Sequence, residues 1–259
     1  MIAEHEGSVK RRTEHGKEKR TGLARALSKM GFCSRSDAAE LIRGGRVKLN
    51  GAVKRDAEAA VRLGVDRIEV DGRAVKTAEK VYWMLNKPRG IVTTAEDEQG
   101  RETVYELLSQ GMPWMGPVGR LDKASEGLLL MTNDTEWAAR VTAPENHLDK
   151  TYHVQIGAVA DDSLLARLEA GVMEDGDELK AKRTRLLRTG EKNCWLEIVL
   201  DEGKNRQIRR MLEACEVEVL RLIRVAIGPL ELGDLPKGKA RELTEAEVQM
   251  LNPAKDNRR

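Results

Sequence analysis

Asp122 is the residue of this chain best placed to do chemistry. It stands in the run Gly119-Arg120-Leu121-Asp122-Lys123-Ala124-Ser125-Glu126-Gly127, directly ahead of the apolar stretch Leu128 to Met131, which stops at Asn133-Asp134. An apolar run bounded by glycine and a turn-prone pair reads as a short buried strand. Arg120, Asp122, Lys123 and Ser125 then sit at the mouth of that strand, with Gly119 and Gly127 free to make tight turns. A carboxylate held there suits a nucleophile or a general base, because core strands fix position better than loops do. On spacing alone, a turn cap is the commoner role for such an aspartate.

A second cluster is cationic. In Gly203-Lys204-Asn205-Arg206-Gln207-Ile208-Arg209-Arg210-Met211 the glycine permits a turn, and Gln207 to Ala214 reads as a helix. Lys204, Arg206, Arg209 and Arg210 crowd its N-terminus, where the helix dipole disfavours positive charge. A departure of this kind from local preference points to a site that meets anions. The four histidines show no metal-ligand spacing, and the three cysteines form no Cys-x-x-Cys pair, so neither a metal site nor a disulfide framework is expected. A Walker loop and a dinucleotide fingerprint are also missing, and no cofactor is expected.

The elements that must position these groups divide the chain. Residues 1–21 are charged and without apolar periodicity, and are expected to be a mobile tail. From Gly22, Leu23, Ala24, Leu27 and Met30 repeat at helical spacing as far as Gly31. Ser34 and Asp37 then open a second short helix that ends at Gly44-Gly45. Strands ending in Asn50-Gly51 and Asp71-Gly72 turns complete a small unit over 22–78. Its cations Arg35, Arg43, Arg46 and Lys48 lie on the second helix and the next strand. A solvated charged face is the commoner reading of such a pattern, although the phosphates of structured RNA would suit it.

A second domain is expected over 81–251. It has strands at Val81–Leu85, Ile91–Thr94, Lys150–Ile156 and Cys194–Leu200, helices at Arg101–Leu108, Glu136–Arg140, Asp162–Ala170 and Glu242–Leu251, and a polar tail at 252–259. Lys87 and Arg89 fall at the turn after its first strand. They could equally meet phosphates or merely solvate the turn. Lys180 to Arg185 forms another local basic cluster. Lys plus Arg at 45 nearly balances Asp plus Glu at 43, so the net charge of +2 says little about nucleic acid, and an RNA surface has to come from clustering of this sort. No apolar segment is long enough to span a membrane and no signal-peptide core is seen, which makes the cytoplasm the expected location.

The run Gly119-Arg120-Leu121-Asp122, with Ser125, Gly127 to Leu130 and Thr132-Asn133-Asp134, resembles the signature of the ribosomal RNA pseudouridine synthases of the small-subunit (Rsu) type. Leu85-Asn86-Lys87-Pro88-Arg89-Gly90, Lys150-Thr151-Tyr152 and Gly203 to Met211 fit the same family in the same order. Residues 22–78 resemble the S-four RNA-binding domain often found ahead of it, and together the resemblances cover about residues 22 to 250. Two positions depart from the pattern. Thr135 follows Asn133-Asp134 where glycine is usual, and Glu216-Val217 replaces a usual Gly-His.

The resemblance implies an α+β chain, with a small RNA-binding module followed by a mainly antiparallel-sheet synthase domain and flanking helices. It implies isomerisation of one uridine in ribosomal RNA to pseudouridine, without a cofactor, with the large subunit slightly favoured over the small; nothing in the sequence demands a partner chain, and a monomer is the default expectation. Asp122 would be the nucleophile. Tyr152 would stack on the extruded base, and Arg209 would pair with Asp122 and keep it ionised. Arg35, Arg43, Arg46, Lys48, Lys87, Arg89, Arg120, Lys123, Lys204, Asn205, Arg206, Gln207 and Arg210 would contact RNA. Two alternatives stand beside this: a ribosome-associated assembly factor with little catalysis, and a transfer-RNA pseudouridine synthase of the same fold.

Overall fold

A computed structural model describes residues 20–94, 97, 99–109 and 111–252. The two expected tails fall almost entirely outside the described residues. Within them the chain forms two compact units, one of residues 20–27 and 35–76, the other of residues 28–34 and 77–252.

The first unit carries β1 (Thr21–Gly22), α1 (Leu23–Lys29) up to Leu27, α2 (Arg35–Arg43), β2 (Val47–Leu49), β3 (Ala52–Lys54), β4 (Ala60–Val61), β5 (Ile68–Val70) and β6 (Arg73–Ala74). Its main sheet runs β3-β2-β5-β6 and is antiparallel throughout. Both turns are set by residues that accept a left-handed backbone, Asn50 and Gly51 at φ 51° and 84°, Asp71 and Gly72 at 51° and 77°. Two consecutive positive φ values are what a tight type I′ hairpin needs. Leu23, Leu27, Ala38, Ile42, Val47 and Val61 are fully buried here, which leaves the cations on the outside.

The second unit is built on one large sheet. In chain order it has β7 (Tyr82–Lys87), β8 (Gly116–Val118), β9 (Glu126–Thr132), α3 (Thr135–Thr142), β10 (Lys150–Ile156), α4 (Asp162–Ala170), the hairpin β11 (Val172–Glu174) and β12 (Asp177–Leu179), and β13 (Arg183–Thr189). Then come β14 (Cys194–Leu200), α5 (Gln207–Glu213), β15 (Val219–Ile227), β16 (Leu230–Glu231), β17 (Ala240–Glu242) and α6 (Glu245–Met250). The sheet order is β13-β14-β10-β15-β9-β7-β17, with β16 on β15 and β8 on β9. All seven residues of β9 are buried, as a central strand covered on both faces requires.

One edge of β9 changes partner along its length. Glu126 and Gly127 pair in parallel with Ile223 and Arg224 of β15, while Leu130 to Thr132 pair with β8. The sheet therefore forks where β9 begins. Two of the expected elements differ in form. Ile91 to Thr94 is not a strand but a loop with a single bridge, Val92 to Thr103. The expected helix at 101–108 is one turn of 3₁₀ helix, Val104–Leu107, opened by a Thr103–Glu106 capping box.

Candidate active site

Asp122 lies in the loop between β8 and β9, at the fork. Five consecutive backbone carbonyls of that loop each accept a hydrogen bond. Thr93 Oγ1 donates to Leu121 O at 2.7 Å, and Ser125 N donates to Asp122 O at 2.9 Å. Gly90 N donates to Lys123 O at 2.8 Å, and Arg209 Nη2 to Ala124 O at 3.1 Å. Lys87 Nζ donates to Ser125 O at 2.8 Å and to Asp122 O at 3.1 Å, with a third bond to Pro88 O at 3.2 Å. Held by its backbone in this way, the loop leaves the Asp122 carboxylate, 36% exposed, as its reactive group. Rigid presentation of this kind is what a nucleophile needs.

The carboxylate faces a cavity of about 500 Å³ lined by residues from both sides of the fork. Arg120, Asp122 and Ser125 come from the loop, Lys150 and Tyr152 from β10, Glu202 to Ile208 from the turn into α5, and Leu222, Arg224 and Ile227 from β15. Thus Asp122 and Tyr152, 30 positions apart in the sequence, do line one hollow. Arg206 Nη1 stands 3.8 Å from Asp122 Oδ2. Its backbone is left-handed, φ 49° and ψ 30°, at the N-cap of α5. A non-glycine residue kept there costs about 1 kcal/mol or more, and such strain gathers at working sites.

Several of the sequence expectations need correction. Arg209 does not make the ion pair with Asp122. Arg206 does, and Arg209 sits behind the loop, where its Nη2 holds Ala124 O. Burial and the nearby Arg206 charge push its guanidinium below the ordinary arginine range, against the pull of Asp122. Lys87 is not an RNA contact, since its side chain is fully buried and spent on the loop carbonyls. Burial pushes that ammonium down to about 8. Gln207 is also buried, and both its N–H groups are used, on Lys180 O at 3.1 Å and Glu202 Oε1 at 2.7 Å.

Arg210 is turned to the β11–β12 hairpin, bonding Asp177 Oδ2 at 2.9 Å and Glu174 O at 2.8 Å. Lys204 Nζ donates to Glu178 O at 2.7 Å. The cations crowded at the start of α5 are thus answered largely by carbonyls and carboxylates of the same unit. Arg35, Arg43, Lys48, Arg89, Arg120, Lys123 and Asn205 are exposed. Arg46 is exposed as well, but its guanidinium is forked onto Asp71 at 2.9 and 2.5 Å.

Residues 81–214 match the family described as RNA pseudouridylate synthase, and residues 21–68 match the S4 domain. The chain belongs to the RNA pseudouridylate synthase family. This synthase is 39% identical to the ribosomal large subunit pseudouridine synthase B of Bacillus subtilis over 237 residues, which cover 91% of this chain and 97% of that one. It is 42% identical to an uncharacterized RNA pseudouridine synthase of Aquifex aeolicus, over 87% of this chain and 91% of that one. A crystal structure of a pseudouridylate synthase superposes with a TM-score of 0.64 at 29% identity, covering 89% of this chain and 99% of the other. The synthase is therefore an isomerase with an α+β fold and an N-terminal S4 domain.

Sequence reasoning missed three contributors to its site. Thr93 and Gly90 both hold the loop; Thr93 lies outside every family block, and Gly90 closes the Leu85–Gly90 block without a role being read for it. Arg224 stands on the buried side of a strand that alternates apolar and cationic residues. A charged residue in the buried phase of such a strand is a signal that can be read from sequence.

Proposed function

We propose that the synthase isomerises one uridine of ribosomal RNA, as a cytoplasmic monomer, with Asp122 as the nucleophile. The observation that carries this reading is the loop of five satisfied carbonyls, which presents Asp122 to a hollow wide enough for an extruded nucleoside and shared with Tyr152. A uridine has to leave its stack before its glycosidic bond can be reached. Tyr152 stacks on the extruded base. Arg206 faces the carboxylate with positive charge, and Arg209 and Lys87 position the loop. The B. subtilis relative's name favours the large ribosomal subunit, and the relatives named as RNA pseudouridine synthases do not oppose it. Arg35, Arg43 and Lys48 of the S4 unit, with Arg89, Arg120, Lys123 and Asn205, supply phosphate contacts. The domain limits proposed are 22–78 and 81–251.

The test is tritium release from C5-labelled uridine with small-subunit RNA, large-subunit RNA and transfer RNA in separate reactions. Release from large-subunit RNA is expected, and Asp122→Asn is expected to abolish it while the dissociation constant for that RNA changes less than about threefold. Turnover by Asp122→Asn near the wild-type rate would overturn the assignment, and release from transfer RNA alone would move the substrate.

A further inference from the structure

Arg224 carries a guanidinium that the fold leaves unfinished. The residue is 6% exposed. Its Nε donates to Leu128 O at 2.8 Å, but its Nη2 is buried with no acceptor. A buried donor without a partner costs about 1–3 kcal/mol, so its retention calls for a reason. Tying β15 to β9 does not supply one, because the Nε bond alone does that.

The register shows where this group faces. Arg224 lies directly opposite Tyr152 across the β10–β15 pair, and cross-strand partners share a face. Lys150, two residues before Tyr152, shares that face too. All three line the cavity that holds Asp122. A shift of register falls between Thr151 and Tyr152, and bulges of this type beside active sites re-aim side chains. Burial, and then the Arg224 charge, push the Lys150 ammonium down, against the pull of Asp149 and Asp201. Among the described residues no carboxylate lies within 4.0 Å of the Arg224 guanidinium or the Lys150 ammonium. Of the carboxylates nearby in sequence, Asp149 bonds Lys182 and Glu202 accepts from Gln207, while Asp201 makes no ion pair with either cation. One wall of the hollow therefore holds two cations that no carboxylate among the described residues pairs directly, although Asp149 and Asp201 act on Lys150 from farther off.

Breaking the C1′–N1 bond of a uridine leaves negative charge on the departing ring. With the Asp122 carboxylate as nucleophile at C1′, its bond to C1′ forms as the C1′–N1 bond breaks, and the electron pair of that bond leaves on the ring as uracilate, spread over N1 and the carbonyl oxygens. The ring turns, and C5 supplies the pair for the new C5–C1′ bond, displacing the carboxylate. The C5 proton is lost and N1 gains one, so atoms and electrons balance.

We propose that Arg224, with Lys150 behind it, receives the charge of the uracil ring as it detaches, and so is a catalytic residue for the departure of the base. The inference rests on the reading of this hollow as the uridine site. Donors fixed in advance where charge develops are worth far more than donors in water, and loss of one such donor slows catalysis about 100- to 1,000-fold.

The experiment compares two RNAs that differ only at the target, one with uridine and one with 5-fluorouridine. Fluorine withdraws electrons and makes the departing ring a weaker base, so it needs less help to leave. Single-turnover loss of the N1-linked nucleoside is followed after nuclease digestion, with RNA affinity and melting temperature measured alongside. Arg224→Lys keeps the charge and shortens the donor, whereas Arg224→Gln removes the charge. Should only the lysine variant fold, its two-substrate comparison still decides the matter.

Expected for Arg224→Lys is a loss of about 100-fold on uridine RNA, no more than about tenfold on 5-fluorouridine RNA, and a dissociation constant within about threefold of wild type. Equal losses on both substrates at unchanged affinity would make Arg224 a structural tie and overturn the proposal. A loss confined to affinity would make it a backbone-phosphate contact and overturn the proposal as well. Asp122→Asn is run in parallel. If it remains active, the reading of the site itself has failed, whereas an inactive Asp122→Asn beside equal Arg224→Lys losses sinks this inference alone.

Discussion

Lys87 shows how far a side chain's role can lie from its apparent one. In sequence it is a cation at a turn, beside Arg89 and equally open to phosphate. In the fold it is fully buried, and its three N–H bonds divide among Pro88, Asp122 and Ser125 carbonyls. With its pKa at about 8, it keeps all three N–H groups at neutral pH and has two left once deprotonated. The single-turnover rate constant should therefore fall as pH rises through about 8 as the loop loses a tie. Stability moves the other way. The unfolded lysine binds its proton up to its ordinary value near 10.4, so between about 8 and there the unfolded chain holds more protons than the folded one, and this group adds stability as pH rises. Activity lost on the alkaline side without a matching drop in melting temperature is the expected pattern, and Lys87→Met should be slow at every pH. A wild-type rate flat to about pH 9.5, well past the folded-state value and still short of the unfolded one, would remove Lys87 from this role.

At the scale of elements, the join between β9 and β15 rests on Gly127. A Cβ built there would lie 2.2 Å from Arg224 O and 2.9 Å from Arg224 N, and the backbone has φ 99°. Gly127→Ala must separate the two strands or strain the turn, at about 3 kcal/mol. For a domain of this size that lowers the melting temperature by roughly 10 °C, which calorimetry would read. The opposite effect is expected at Glu216, which holds φ 59° just after α5 at a position where the family usually has glycine. Glu216→Gly relieves the left-handed strain and should stabilise by about 0.5–1 kcal/mol, against the extra freedom glycine has in the unfolded chain. Elements with a regular period were readable in the sequence. β10, α4 and β14 run over the residues their alternation or helical spacing marks. The 91–94 loop was not, because Thr93 and Val92 are strand formers, yet the Thr93 hydroxyl is spent on the Leu121 backbone and the Val92 backbone on a lone bridge to Thr103. Asp122 could be marked as a candidate by its place at a strand entrance, but the choice of it over a turn cap, and any role for Tyr152, come only through the family motif. Nor does periodicity carry the choice of Arg206 over Arg209 as the cation facing Asp122.

The whole molecule pairs a gripping unit with a chemical one, and their effects should separate. Replacing Arg35, Arg43 and Lys48 together by alanine should weaken RNA binding about tenfold at physiological salt. It should also reduce the slope of log affinity against log salt by roughly 2, a charge-counting signature of lost phosphate contacts. The rate constant on saturating RNA should stay within about twofold of wild type, because all three belong to the first unit and the Asp122 loop with its ties to the second. A salt slope unchanged in the triple variant would deny these residues a phosphate role.

The ties on the Asp122 loop come from far along the chain, Thr93 at a separation of 28, Lys87 at 35 and 38, and Arg209 at 85. A chain still being synthesised carries its aspartate long before the last of these residues has emerged. The last of the ties, Arg209 on Ala124 O, closes only when the α5 segment docks, and a chain cut short ahead of that helix holds the aspartate without that tie and without the Arg206 charge beside it.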